Sequence, residues 1–443
     1  MEISTIYIID NPETRRPYIF YNTWNYQERN CYFRGKAFLD SMNLEHILDE
    51  IDVAHRLGID VFVIDTGWFT KTGDWHVDRR RFPDGLKMVK ERLDAYGMKL
   101  GLWLNPTLAA ESSEIFLAHP EYAMTMDGER HYQSSVWETE GSYEMCLVSG
   151  YADYFIKTMI RLYKELGVTY FKWDGVGQYG CNSPHHNHGT AKNSPQERHE
   201  CFSYQIGLEM IRILKEVTRA CPGIIVDFDV TEGGRFFGLG FLAVGKYFLI
   251  NNGPYAKDFD LPEKMEPATN KVAANLWPYT NIFFFPGPAR SRICRHGLKF
   301  DSFVPSVLFM THYLPDPPQS SQHNSLASLM LGGNGIWGDL LSLSEEDIKF
   351  FSETLGKYKK VAEYVTRSYP KVKGFIGGSP EIYEKIDHQE AKGLVCFFAS
   401  KAGKYDYLTG RINLDKFSRV EGADHYEVTG DGRLKITVTC VFR

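Results

Sequence analysis

Short apolar runs alternate along the chain with stretches in which apolar residues recur every three or four positions. Leu44, Ile47, Leu48, Ile51, Ala54 and Leu57 lie on one face of a helix. Asn43 is placed to cap that helix and Gly58 to stop it. The run Val61-Phe62-Val63-Ile64 follows, apolar at every position, as a strand covered on both faces should be. The alternation then repeats. Helices are expected over residues 85–96, 152–166, 197–219 and 345–362, the last with Ser344 as cap and acids in its first turn. Strands are expected at 18–21, 61–64, 99–104, 168–173, 224–228, 247–250, 282–285 and 335–337. Residues 107–149 show no clear period and should form a loop with short helices. This pattern predicts an α/β chain: a (β/α)8 TIM barrel over residues 1–365. A doubly wound open sheet is the alternative, but no Gly-rich phosphate turn follows an early strand. From about Tyr369 short strands alternate with Gly-containing turns such as Gly430-Asp431-Gly432. Residues 366–443 should therefore form a small antiparallel β-sandwich domain.

Barrel strands present their C-terminal ends to the active site. Here those ends, with the turns behind them, carry Trp24, Asp65, Trp68, Trp103, Asn105, Lys172, Asp174, Asp229, Asn251 and Asn252. Tyr170-Phe171-Lys172-Trp173-Asp174-Gly175 is the most telling stretch. It ends on a carboxylate, and Lys172 alternates with the aromatics so that it can lie beside that carboxylate and hold it ionised. Two acids at one barrel mouth suit glycoside cleavage. A retaining mechanism sets them ~5–5.5 Å apart and an inverting one ~6.5–9.5 Å. Trp68 and Trp103 are candidate stacking faces for a sugar. The loop after Asp174 holds His185, His186 and His188, but no fourth ligand stands at a recognisable spacing. No metal or cofactor is expected, and the loop reads as a solvated cover over the mouth.

Composition narrows the partners. The net charge of −6 argues against nucleic acid or an anionic membrane surface, and no apolar run approaches a membrane span. Eight cysteines lie scattered without a Cys-x-x-Cys pair, and the N-terminus lacks a signal-peptide pattern. Both point to free thiols in the cytoplasm. Aromatics at 14% leave room for rim contacts in a homo-oligomer.

Several motifs, in order, resemble glycoside hydrolase family 36, the melibiase-type α-galactosidases. They are Asp65-Thr66-Gly67-Trp68-Phe69, Gly73-Asp74-Trp75, Phe82-Pro83-Asp84-Gly85-Leu86, Gly97-Met98-Lys99-Leu100-Gly101-Leu102-Trp103 and His119-Pro120-Glu121-Tyr122. Tyr170-Phe171-Lys172-Trp173-Asp174, Gly233-Gly234-Arg235-Phe236 and Gly335-Ile336-Trp337-Gly338-Asp339-Leu340 continue the series. The resemblance implies a retaining α-glycosidase acting on an oligosaccharide or other glycoside, with Asp174 as nucleophile. It places sugar-hydroxyl contacts at Asp65 and on the Glu232–Arg235 turn. Four departures stand out. The family's large N-terminal β-sandwich has no counterpart. Thr66 replaces the second acid of the sugar-binding pair. Trp103-Leu104-Asn105-Pro106-Thr107 replaces a stretch with two Glu. The family's acid/base Asp falls on Asn251, which cannot donate and reclaim a proton. Asp229 or Glu232, or Asp258 or Asp260, would have to serve instead, and Asp229 is favoured because a strand end is rigid and points inward. The expected activity is thus a retaining α-glycoside hydrolase. A transglycosidase, or a sugar-binding protein that has lost catalysis, is the alternative.

Overall fold

The computed structural model describes residues 11–24, 26–27, 35–37, 39–135, 140–176, 179–230, 235, 238–250, 295–313, 319–332 and 335–441. Contacts divide it into two units, Met1–Leu249 and Ile250–Arg443.

In the first unit, six parallel strands alternate with helices. The elements are β1 (Phe20–Asn22), α1 (Leu44–Leu57), β2 (Val61–Ile64), α2 (Lys87–Ala95), β3 (Lys99–Leu104), α3 (Tyr151–Leu166), β4 (Tyr170–Trp173), α4 (Pro195–Ala220), β5 (Ile225–Asp229) and β6 (Lys246–Ile250). Each strand pairs in parallel with the next: β1 with β2, then β3, β4, β5 and β6. The helices form where the sequence pattern puts them. Asn43 caps α1 by accepting the His46 N–H, and Gly58 closes it at φ +81°. Ile47, Ile51, Ala54 and Leu57 are buried. α4 begins two residues before the expected start, because Pro195 fits the first helical position and Ser194 and Glu197 form a reciprocal capping box.

In the second unit lie two further parallel strands, β7 (Phe309–Tyr313) and β8 (Gly335–Trp337), paired at His312–Gly335 and Tyr313–Ile336. The eight strands are those of a (β/α)8 barrel. The expected strand at 282–285 lies outside the described residues, and the seventh barrel strand is β7. Its Thr311-His312 centre lacks the unbroken apolar run that marks β2. The same unit holds α5 (Gln319–Leu329), α6 (Glu345–Lys359) and α7 (Ala362–Arg367). Two three-stranded antiparallel sheets complete it: β9 (Lys371–Lys373), β10 (Glu381–Asp387) and β11 (Lys392–Phe398), then β12 (Gly403–Leu408), β13 (His425–Val428) and β14 (Leu434–Cys440). Buried ion pairs join these sheets to the preceding chain. Arg295 meets Glu381 through Nε at 2.6 Å and Nη2 at 3.1 Å, and Lys385 meets Asp301.

The segment between β3 and α3 holds the expected short helices, Glu114–Ala118 and Pro120–Tyr122, and adds strands that the sequence pattern does not show. The strands form a three-stranded antiparallel sheet of Leu108–Ala110, Ser142–Glu144 and Tyr132–Gln133, with a hairpin of Thr125–Met126 and Glu129–Arg130. Strands of two or three residues are too short for alternation to register in a sequence. No helix of the described residues is long and apolar enough to cross a membrane.

Candidate active site

In a parallel strand alternate residues face the same way, so one inward residue fixes the rest. On β4, Tyr170, Lys172 and Asp174 share a face, and on β5 Asp227 and Asp229 do. Phe20 and Asn22 of β1, with Trp103 of β3, face the same interior. Contacts bear this out. Phe20 stacks near Tyr170 with ring centres 6.2 Å apart, Asn22 donates to Asp65 at 2.7 Å, and the Trp103 indole donates to Asp174 at 3.0 Å.

The charged side chains at this end form an alternating row. Lys172 Nζ lies 3.7 Å from Asp65 Oδ2 and 3.7 Å from Asp174 Oδ2. Arg235 reaches Asp174 Oδ1 at 2.5 Å through Nη2 and Asp229 Oδ1 at 3.0 Å through Nη1. The row runs Asp65–Lys172–Asp174–Arg235–Asp229, three carboxyls around two cations. The acids differ in access. The side chain of Asp174 is 17% exposed, against 2% for Asp65 and 0% for Asp229. Asp174 is therefore the most accessible of the three.

Burial alone would raise the Asp174 carboxyl. Arg235, then Lys172 and the Trp103 indole, outweigh it and hold the group below the ordinary carboxylate range. Asp65 shows the opposite balance: burial raises it despite Lys172 and the Asn22 hydrogen bond. Lys172 is fully buried, yet the carboxylates of Asp65 and Asp174 raise it above an ordinary lysine. The arrangement can thus present an ionised carboxylate at the mouth with an ammonium and a guanidinium behind it.

The surrounding residues fix this geometry. Asp65 takes the Thr66 N–H on Oδ1 at 2.8 Å, and its own N–H goes to Thr23 Oγ1 at 3.0 Å. Asn22 accepts the N–H of half-buried Trp24, tying that turn to the site. Asn105 accepts from Thr107 through both N and Oγ1, and its amide lies against Gly175. Gly175 has φ +78°, and a Cβ there would sit 2.2 Å from Asn105 Nδ2, so both conformation and space require glycine.

Trp68 has no exposed surface. It packs in an aromatic cluster with Phe69 and Trp75 and donates its indole N–H to the Trp103 carbonyl. It supports the rim and offers no face to a sugar. Trp103 is 7% exposed and spends its indole N–H on Asp174. Glu232, Asn251, Asn252, Asp258 and Asp260 lie outside the described residues.

Sequence reasoning passed over Asn22, Thr23 and Asp227. The signal for Asn22 was present, since it ends β1 on the parity of Phe20. Asp227 lies one step deeper than Asp229. Tyr170 donates to it, and Lys172 and Lys246 stand beside it in register. Burial, opposed by Tyr170 and Lys172, pushes Asp227 up to about 7, and burial pushes Lys246 down to about 7.

The melibiase family profile matches residues 13–248, more than half of the chain. Alpha-galactosidase AgaA of Geobacillus stearothermophilus is 28% identical over 204 residues, covering 44% of this chain and 26% of that protein. An alpha-galactosidase of Escherichia coli is 30% identical over 177 residues, 38% of this chain and 22% of that one. The matched stretch is thus about a quarter of these relatives' length. In structure, AgaA solved in complex with stachyose superposes with a TM-score of 0.64 at 21% identity, covering 97% of this chain and 54% of that chain.

Proposed function

Since the chain belongs to the melibiase family, we propose that it is a retaining α-glycoside hydrolase of the α-galactosidase type and that Asp174 is its nucleophile. The observation that carries this reading is Asp174 itself, the most exposed carboxylate of the row and held ionised by Arg235 and Lys172. In the proposed reaction an Asp174 oxygen attacks the anomeric carbon and the aglycone oxygen leaves. Water then cleaves the glycosyl ester and restores the carboxylate. Asp65 accepts from a sugar hydroxyl and the Asn105 amide N–H donates to one, Trp24 and Trp103 line the sugar, and Lys172 and Arg235 fix Asp174. The family's complexes with raffinose and stachyose support an oligosaccharide ending in α-linked galactose as the substrate, with the barrel segment up to residue 365 carrying the reaction.

Proton supply is the open half of the reaction. Asp229 is fully buried and engaged by Arg235, a placement that suits orienting the guanidinium rather than reaching a leaving group. Asn251 stands where the resemblance calls for an acid. These two observations favour a second reading, a sugar-binding site that cleaves only substrates whose leaving group needs no proton.

Release of phenol from p-nitrophenyl and dinitrophenyl α-galactosides separates the readings. A complete hydrolase cleaves both, and Asp174→Asn lowers kcat on both by about 10⁴-fold, the scale seen when one member of a catalytic unit is removed. Asp229→Asn then loses the p-nitrophenyl substrate selectively if Asp229 is the acid. Cleavage of the dinitrophenyl compound alone means that the proton donor is missing. Unchanged turnover in Asp174→Asn would overturn the assignment. Product analysis with added acceptor sugar distinguishes transfer from hydrolysis.

A further inference from the structure

The loop behind Asp174 carries a second cluster, separate from the row of charges. Cys146, Cys181, His186 and His188 each bring one donor atom into a group whose atoms all lie within 4.8 Å of one another, and all four side chains are buried. They come from two places. Cys146 follows the strand Ser142–Glu144, and the other three lie within eight residues of the loop between β4 and α4.

The hydrogen bonds assign the ring nitrogens. His186 Nε2 is 2.8 Å from the Glu121 carbonyl, and His188 Nδ1 is 3.1 Å from the Arg198 carbonyl. A carbonyl only accepts, so in each ring that nitrogen carries the hydrogen and the other keeps its lone pair. In His186 the lone pair is on Nδ1, 3.3 Å from Cys181 Sγ. In His188 it is on Nε2, which is buried and makes no hydrogen bond. Metal-ligating histidines show this division, one nitrogen on the metal and the other N–H on a backbone carbonyl. The Thr125 N–H points at Cys181 Sγ from 3.4 Å, a contact that favours a thiolate. Neither cysteine is in a disulfide.

We propose that Cys146, Cys181, His186 and His188 bind one zinc ion in a closed structural site. Two sulfurs and two imidazole nitrogens are a zinc donor set, and four protein ligands leave no position for a reacting water. On binding, both thiols release their protons to solvent and the imidazoles stay neutral, with no change of redox state. The ion ties the loop after the proposed nucleophile to the small sheet between β3 and α3. A sequence reading that looks for ligands at close spacing misses Cys146, which is 35 residues from Cys181.

The test is metal content. The full chain, made in zinc-supplemented medium and purified without chelator or metal resin, should hold one zinc per chain by mass spectrometry. Exchange for cobalt(II) should give the visible bands of a tetrahedral ion and a sulfur-to-cobalt charge-transfer band. Cys146→Ser and His188→Gln should lose stoichiometric zinc, whereas Cys440→Ser should keep it. A wild type that carries no zinc and takes up no cobalt would overturn the proposal. So would a Cys146–Cys181 disulfide in the native protein, or full zinc retention in Cys146→Ser. The wild-type measurements stand even where a variant fails to fold.

Discussion

Arg235 holds two carboxylates with the two ends of one planar fork, Asp174 through Nη2 and Asp229 through Nη1. A lysine cannot do this, because its ammonium is a single point of charge. Arg235→Lys is expected to lower kcat/KM by about 10²-fold, the scale of a small misplacement of a reacting group. It should also move the acidic limb of the pH–rate profile upward, since the cation that lowers Asp174 is weakened. An unmoved limb would mean that Arg235 does not set the ionisation of Asp174. Deeper in the barrel, Asp227 titrates near 7 in the folded chain and near 4 when unfolded. Its folded value is raised, so its contribution to stability is complete below about pH 4 and is lost as pH rises through about 7, a span on the order of 4 kcal/mol. Lys246 runs the other way, losing stability as pH falls from about 10 towards 7. Asp227→Asn should therefore flatten the fall in Tm between pH 5 and 7.5, and an unchanged slope would refute the assignment. At this scale Lys172, Asp174 and Asp65 were legible because they end strands. Asp227 was not, because a residue one layer down looks like any strand residue until the neighbouring strands are in register.

Elements were legible in proportion to their length. The 14 residues of α1 and 16 of α3 give enough turns for their apolar face to repeat, and Gly58 and Gly167 mark their ends. The two- and three-residue strands between β3 and α3 give none. The capping box of α4 is a purely local device, so its removal should be felt as stability alone. Ser194→Ala is expected to cost about 1 kcal/mol, read as a lower denaturant midpoint with turnover per folded molecule unchanged. A loss of turnover instead would show that this cap positions the loop after β4.

For the whole molecule, composition and alternation reveal the architecture, while family resemblance supplies the chemistry. The barrel follows from apolar runs that end in polar residues, a pattern that survives substitution of the residues between them. The C-terminal sheets follow from the change of period near residue 369, and the observed antiparallel pairing begins at Lys371. What no linear pattern carries is the meeting of distant residues, such as Arg295 with Glu381 or Cys146 with Cys181.

The row Asp65–Lys172–Asp174–Arg235–Asp229 counts three acids against two cations. A neutral sugar leaves that sum as it is. A ring nitrogen bearing a proton would even it out, next to the acid most open to solvent. Inhibition should therefore discriminate by charge rather than by shape: a protonated imino sugar should bind at least about 10-fold more tightly than the uncharged lactam of the same ring, and equal inhibition constants would mean that the two cations already silence the third acid.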